Sequence, residues 1–160
     1  MRIRAVKIDK KDFNKYGIFL NPYDCGEPVN PGDTFPYFND RLGLRSPDGS
    51  AINLSILVCK KRLFEFDITE NHFKTEEIIG GFNEDVVFHV ASRNNNPDIS
   101  KFKAYILPRF CWIKLKKGVF HHAPFVIDAD EAMGWVFLPA MTINNDAKIY
   151  NLEEKIEIIF

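Results

Sequence analysis

The chain has 160 residues, of which 46% are hydrophobic, 27% charged and 14% aromatic, enough apolar material for one domain with a real core. A net charge of −1 builds no field that would steer it to nucleic acid or an anionic membrane, and no apolar run reaches membrane-spanning length. Met1–Lys7 lacks the apolar core of a signal peptide, and Cys25, Cys59 and Cys111 are too scattered for a disulfide frame or zinc site, so a cytoplasmic protein with reduced thiols is expected.

Ile3–Ile8 reads as a strand, followed by a short helix that Asp9 caps and Gly17 stops. Pro22, Gly26, Pro28, Pro31 and Gly32 make the stretch from Asn21 a long loop, the kind of segment that often serves as a lid or arm. Residues 45–50 are a turn, and Ile52–Cys59 is the next strand. Phe64–His72 carries the clearest regular pattern. Its even positions are Phe64, Phe66, Ile68, Glu70 and His72, and its odd positions are all polar. Period-two alternation predicts the even set on the core face, with Glu70 and His72 extending it. A carboxylate and an imidazole at that depth need partners, which marks a pocket.

Glu76 and Glu77 fall in a turn, and Val86–Ala91 is a buried strand whose His89 reads as a structural histidine. Further strands are predicted at Phe102–Leu107, Cys111–Leu115, Val119–Ile127, Gly134–Leu138 and Ile156–Phe160, with a helical turn over Asp128–Met133. Many short strands separated by Pro, Gly and Asn turns mean an all-β barrel or sandwich. Gly118 marks a bulge or turn, and His121 and His122 stand side by side just after it. Neighbouring strand residues point to opposite faces, so a bulge is needed for both imidazoles to enter one pocket.

Glu70-x-His72-xxx-Glu76, closed by Gly80 or Gly81, resembles the first cupin motif, in which a His usually stands at position 70. Gly118-xx-His121 resembles the second, although the usual Asn falls at Phe125. Almost the whole chain is similar to the ureidoglycolate lyase family, formerly called ureidoglycolate hydrolases. The similar stretches include Phe13-xx-Tyr16-Gly17, Glu70–Glu76, Asp85–Ala91, Asn96–Ile99, Phe102–Ile106 and Gly118–Pro124. The family's Trp before the histidine pair is Phe120 here, and residues 21–63, which help form its substrate pocket, match poorly.

The resemblance implies one cupin-type domain over residues 1–160, a double-stranded β-helix (a jelly-roll-like barrel) with one or two short helices. It further implies cleavage of ureidoglycolate to glyoxylate and urea, a step of allantoin degradation in purine metabolism. His72 and His121 are the expected acid–base pair, with Glu70 or Glu76 orienting one of them and His122 able to stand in for His121. Arg41, Arg45 or Lys116 would hold the substrate carboxylate, with Phe120 beside it. His72, Glu76 and His121 also form a two-histidine, one-carboxylate set suited to Fe(II), Mn or Zn, so the expected cofactor is none or one divalent metal ion. The rival expectation is a diverged cupin that binds or isomerises another small sugar or organic acid. Fifteen Phe exceed what one small barrel can hide, so a homodimer is expected.

Overall fold

The structure is a computed structural model that describes residues 1–160. Its elements in chain order are β1 (Arg2–Lys7), α1 (Lys10–Phe13), β2 (Gly17–Leu20), β3 (Ile52–Lys60), β4 (Glu65–His72), β5 (Glu77–Gly80) and β6 (Val86–Ala91). A 3-10 turn at Ile99–Lys101 leads to β7 (Lys103–Leu107), β8 (Trp112–Leu115), β9 (Phe120–His121), β10 (Phe125–Val126), β11 (Glu131–Pro139), α2 (Thr142–Asn145) and β12 (Ala147–Ile159). The protein is all-β and barrel-like, with two one-turn helices, as the sequence predicts. No helix is long and apolar enough to cross a membrane.

Two layers organise the strands. In the first, β6, β7, β1, β12, β4 and β9 pair in that order, and β9 pairs back onto β6 to close a barrel; β10 takes the rest of the β6 edge. β1 lies parallel to both β7 and β12, and the other pairings are antiparallel. The second layer is an open sheet in the order β2-β8-β5-β11-β3. Each layer dictates its own core. Phe66, Val87, Ala91, Phe102, Phe120, Phe125, Tyr150 and Ile156 fill the barrel lumen. Phe13, Tyr16, Ile79, Val86, Phe88, Val90, Tyr105, Ile113 and Leu115 fill the space between the layers. β6 belongs to both cores, so all six of its residues are buried. Burial of each large side chain here contributes about 1.5–3 kcal/mol.

The strand pattern differs from expectation at several places; the last strand, for one, begins at Ala147 rather than Ile156, and Glu77 lies in β5 rather than in a turn. Alternation in β4 does not hold along its length: Phe66 faces the lumen, yet Thr69 and Asn71 are the fully buried residues further on and Ile68 is exposed. The cause is a break in register with β12, where Asn151 pairs with Ile68 but Ile156 pairs with Phe66. The expected strand over Val119–Ile127 splits into β9 and β10, because Pro124 has no N–H to give to a ladder. Asp128–Met133 is no helical turn; β11 begins at Glu131. Gly17 does not simply stop α1, which ends at Phe13, but opens β2.

Residues 21–51 contain no helix or strand. Leu42 and Leu44 of this loop sit with Leu20, Ile78, Trp112 and Phe137 on the outer face of the open sheet. Lys114 Nζ donates to Gly43 O at 3.1 Å and holds the loop there.

Candidate active site

The two layers approach each other where β4 and β9 of the barrel face β5 of the open sheet. On β4, Glu70 and His72 share the face that looks out of the barrel, while Thr69 and Asn71 look in. On β9, His121 pairs with Glu70 and so projects to the same side. On β5, Glu77 and Ile79 point inward at the barrel, whereas Glu76 points outward to Lys114 Nζ at 3.1 Å. These three strands meet at a recess of about 230 Å³ lined by Glu70, His72, Glu77, His121 and His122, with Leu57 and Val136 among its apolar walls.

Glu77 is the centre of the arrangement. Its Oε2 accepts from His72 Nε2 at 3.1 Å and from His121 Nε2 at 3.2 Å, and all three side chains are almost fully buried. The imidazole rings stand 5.3 Å apart. Burial pushes the Glu77 carboxyl up, but the charge and hydrogen bond of His121, joined by His72, outweigh it and bring the carboxyl down to about 2. Burial likewise pushes His121 down; Glu77 above all, then Glu70 and the Val119 carbonyl, overcome that and hold the ring at about 9. His121 Nδ1 donates to Val119 O at 2.9 Å, which fixes the ring's orientation. His72 Nδ1 is buried with no partner. His122, half-buried, is pushed down by burial against the pull of Glu70.

The backbone around the site has its own supports. Gly118 takes φ 78°, and a Cβ there would lie 2.6 Å from Arg93 Cγ, so only glycine fits. Its N–H donates to His72 O at 2.6 Å, tying the end of β4 to the turn before β9. Asp146 accepts from the backbone N–H groups of Phe73, Lys74 and Thr75 and from Thr75 Oγ1, pinning the turn that joins His72 to Glu77. Asp146→Ala is expected to lower stability by about 2–4 kcal/mol in chemical denaturation, because several buried-side donors lose a charged acceptor at once.

The residues expected from the sequence divide into two groups. His72, His121, Glu70 and His122 come together at the recess. His122 joins His121 because β9 ends at His121, so strand alternation no longer governs the next side chain. Glu76 does not join them; its neighbour Glu77 does, since β5 alternates and turns residue 76 outward. The expected carboxylate-binding cations are also elsewhere. Arg41 donates to Glu27 O within the loop, Lys116 donates to the carbonyl oxygens of Asn14 and Lys15, and Arg45 is exposed on the turn before β3. Phe120 points into the lumen, fully buried, with its ring edge-on to Tyr150. His89 is also in the lumen, stacked on Phe66 at 3.7 Å with Nε2 near Thr69 Oγ1.

The donor set suits a divalent metal ion. Glu70, His72 and His121 offer ligand atoms within 4.8 Å of one another. Glu77 stands beside that set, its Oε2 bridging the two Nε2 atoms at 3.1 and 3.2 Å. His121 carries the hydrogen bond from its other nitrogen that metal-bound imidazoles use to fix their tautomer. The recess holds two carboxylates and no Lys or Arg, so its charge favours a cation. Cys59 and Cys111 play no part: both are buried, and burial pushes their thiols up, Cys59 to about 11. A comparison with protein-family models finds no match for the chain, and a comparison with curated proteins finds none either.

Proposed function

We propose that the chain is an enzyme that acts on a small organic acid in this recess, with Glu70, His72 and His121 holding one divalent metal ion and Glu77 joining the two imidazoles. One observation carries the reading: a single buried carboxylate, Glu77, joins two imidazoles from two different barrel strands at the wall of a small recess. A bound ion would supply Lewis-acid polarisation and a counter-charge for the substrate carboxylate, which no Lys or Arg of the recess provides. The reaction best matched to this set, and implied by the sequence resemblance, is carbon–nitrogen cleavage of ureidoglycolate to glyoxylate and urea.

That cleavage asks for little beyond proton movement. The hydroxyl proton leaves, the C–O bond becomes a carbonyl, the C–N bond breaks, and the departing nitrogen gains a proton. His122 lines the recess without belonging to the donor set, which suits it to take the first proton and return it to nitrogen. Glu70, half-buried, supplies the carboxylate of the three-ligand set. Apolar walls at Leu57, Ile79 and Val136 limit the water that competes for these groups.

A second, metal-free reading has its own support. A carboxylate only accepts, so without an ion His121 donates from both ring nitrogens and stands ready as a general acid. Metal analysis and ureidoglycolate turnover, before and after chelation, separate the two. About one ion per chain, with turnover lost on chelation and restored by metal, is the expected result. Turnover that survives chelation favours the acid–base reading. Absence of both metal and turnover sinks the lyase assignment.

A further inference from the structure

A second cavity, about 440 Å³ in volume, shares no lining residue with the recess. It opens where three segments converge: the turn between α1 and β2, the chain just after β6, and the lead into β7. They bring Lys15, Arg93, Lys101 and Lys103 to one place, in a chain whose net charge is −1. Lys101 and Lys103 flank Phe102, whose burial in the lumen turns both of them outward. Lys116 fixes the first segment by donating to the carbonyls of Asn14 and Lys15, and the stem of Arg93 rests on Gly118. Tyr16 forms part of the cavity floor. Its ring is buried against Phe13 and Tyr105 and the residue is only 2% exposed, yet its hydroxyl has no hydrogen-bond partner in the protein; Asp12 accepts from Tyr105 instead. Burial pushes the Tyr16 hydroxyl up from its ordinary value, so it keeps its proton and stands ready to donate.

We propose that this cavity binds a small phosphate-bearing molecule, whose phosphate oxygens accept from the Tyr16 hydroxyl and from Lys15, Arg93, Lys101 and Lys103. A buried donor without a partner, at the floor of a cavity ringed by cations, calls for an anionic acceptor. Charge selects a phosphate over a carboxylate. Two acidic groups stand among the four cations. Asp12 lies 3.5 Å from Lys103 Nζ and 3.9 Å from Lys15 Nζ, and Asp98 Oδ1 accepts from the backbone and hydroxyl of Ser100. Four positive charges against two negative leave +2, with Arg93 and Lys101 unpaired. A phosphate monoester, at about −1.5 to −2 near neutral pH, cancels that charge; a monocarboxylate cancels half of it.

Isothermal titration calorimetry of the full chain tests this, with glycerol 3-phosphate, inorganic phosphate and acetate as probes. An ionic strength of about 0.15 M screens bare surface charge. One phosphate compound per chain is expected to bind, about 10-fold or more tighter than acetate. Tighter binding of glycerol 3-phosphate identifies an ester as the ligand; inorganic phosphate that binds equally well or better identifies the free ion. Tyr16→Phe, which keeps the buried ring, and Lys101→Gln, at an exposed position, are each expected to weaken binding about 10-fold. Far-UV circular dichroism reports whether each variant is folded; should one fail, the other carries the test. Weakened binding in either folded variant places the phosphate in the cavity. Wild type that binds neither phosphate compound more tightly than acetate overturns the proposal. So does phosphate binding that every folded variant leaves unchanged, because that ion sits elsewhere.

Discussion

Glu77→Ala is expected to be the most damaging single substitution at the site, destabilising the protein by about 3–5 kcal/mol in urea unfolding. The reason is what it leaves behind. His121 would remain buried as an unpaired cation, or lose its proton, and His72 Nε2 would have no acceptor. Glu77→Gln keeps the volume and isolates the charge. In metal-free protein its effect is read from the pH dependence. His121 is held at about 9, above its ordinary 6.5, so its contribution is complete below pH 6.5 and is lost as pH rises through 9. Glu77 is held at about 2, below its ordinary 4.5, so its contribution is complete above pH 4.5 and is lost as pH falls through 2. Stability should therefore be greatest between pH 4.5 and 6.5 and decline on both sides. Glu77→Gln should flatten both limbs; an unchanged profile would contradict the ion pair.

The second large effect separates ligands from the proton carrier. His72→Ala and His121→Ala should each strip the bound metal and reduce ureidoglycolate turnover by about 100-fold or more. His122→Ala should retain metal and still lose about 100-fold in kcat, the usual range for removing a general base. Metal binding to the wild type should also weaken as pH falls, because the ion must displace the proton on His121 Nε2. Should His122→Ala turn over as fast as the wild type, the proton role assigned to that ring would be wrong.

Much of this site is legible in the sequence. Glu70 and His72 share a face because they stand two positions apart on one strand, with only Asn71 between them, and the Gly118-xx-His121 spacing delivers the second imidazole. Strand parity alone does not single out Glu77. Adjacent glutamates at a turn give no parity of their own; only the pairing of Glu77 with Leu115, whose side chain faces the barrel, decides which one points inward. The cupin-like motif allows three or four residues before its Glu, and the four-residue form would have selected Glu77.

The lumen was hidden for a related reason. Thr69 and Asn71 look like solvent-facing polar positions until β12 is known to shift register beside Asp67. A break of that kind depends on a partner strand some eighty residues away, and no window of local sequence contains it. The missing carboxylate-binding cations have a similar origin: Arg41 and Lys116 are consumed by backbone carbonyls of their own neighbourhoods.

The proposition beneath all of this is that His72, Glu77 and His121 behave as one buried unit. Titration of the imidazole ¹⁵N signals in metal-free protein tests it most directly. One ring, His121, should keep both protons until about pH 9 and lose that protection in Glu77→Gln. If every imidazole instead gives up its proton by pH 6.5, or if Glu77→Gln leaves the His121 titration where it was, the unit does not exist.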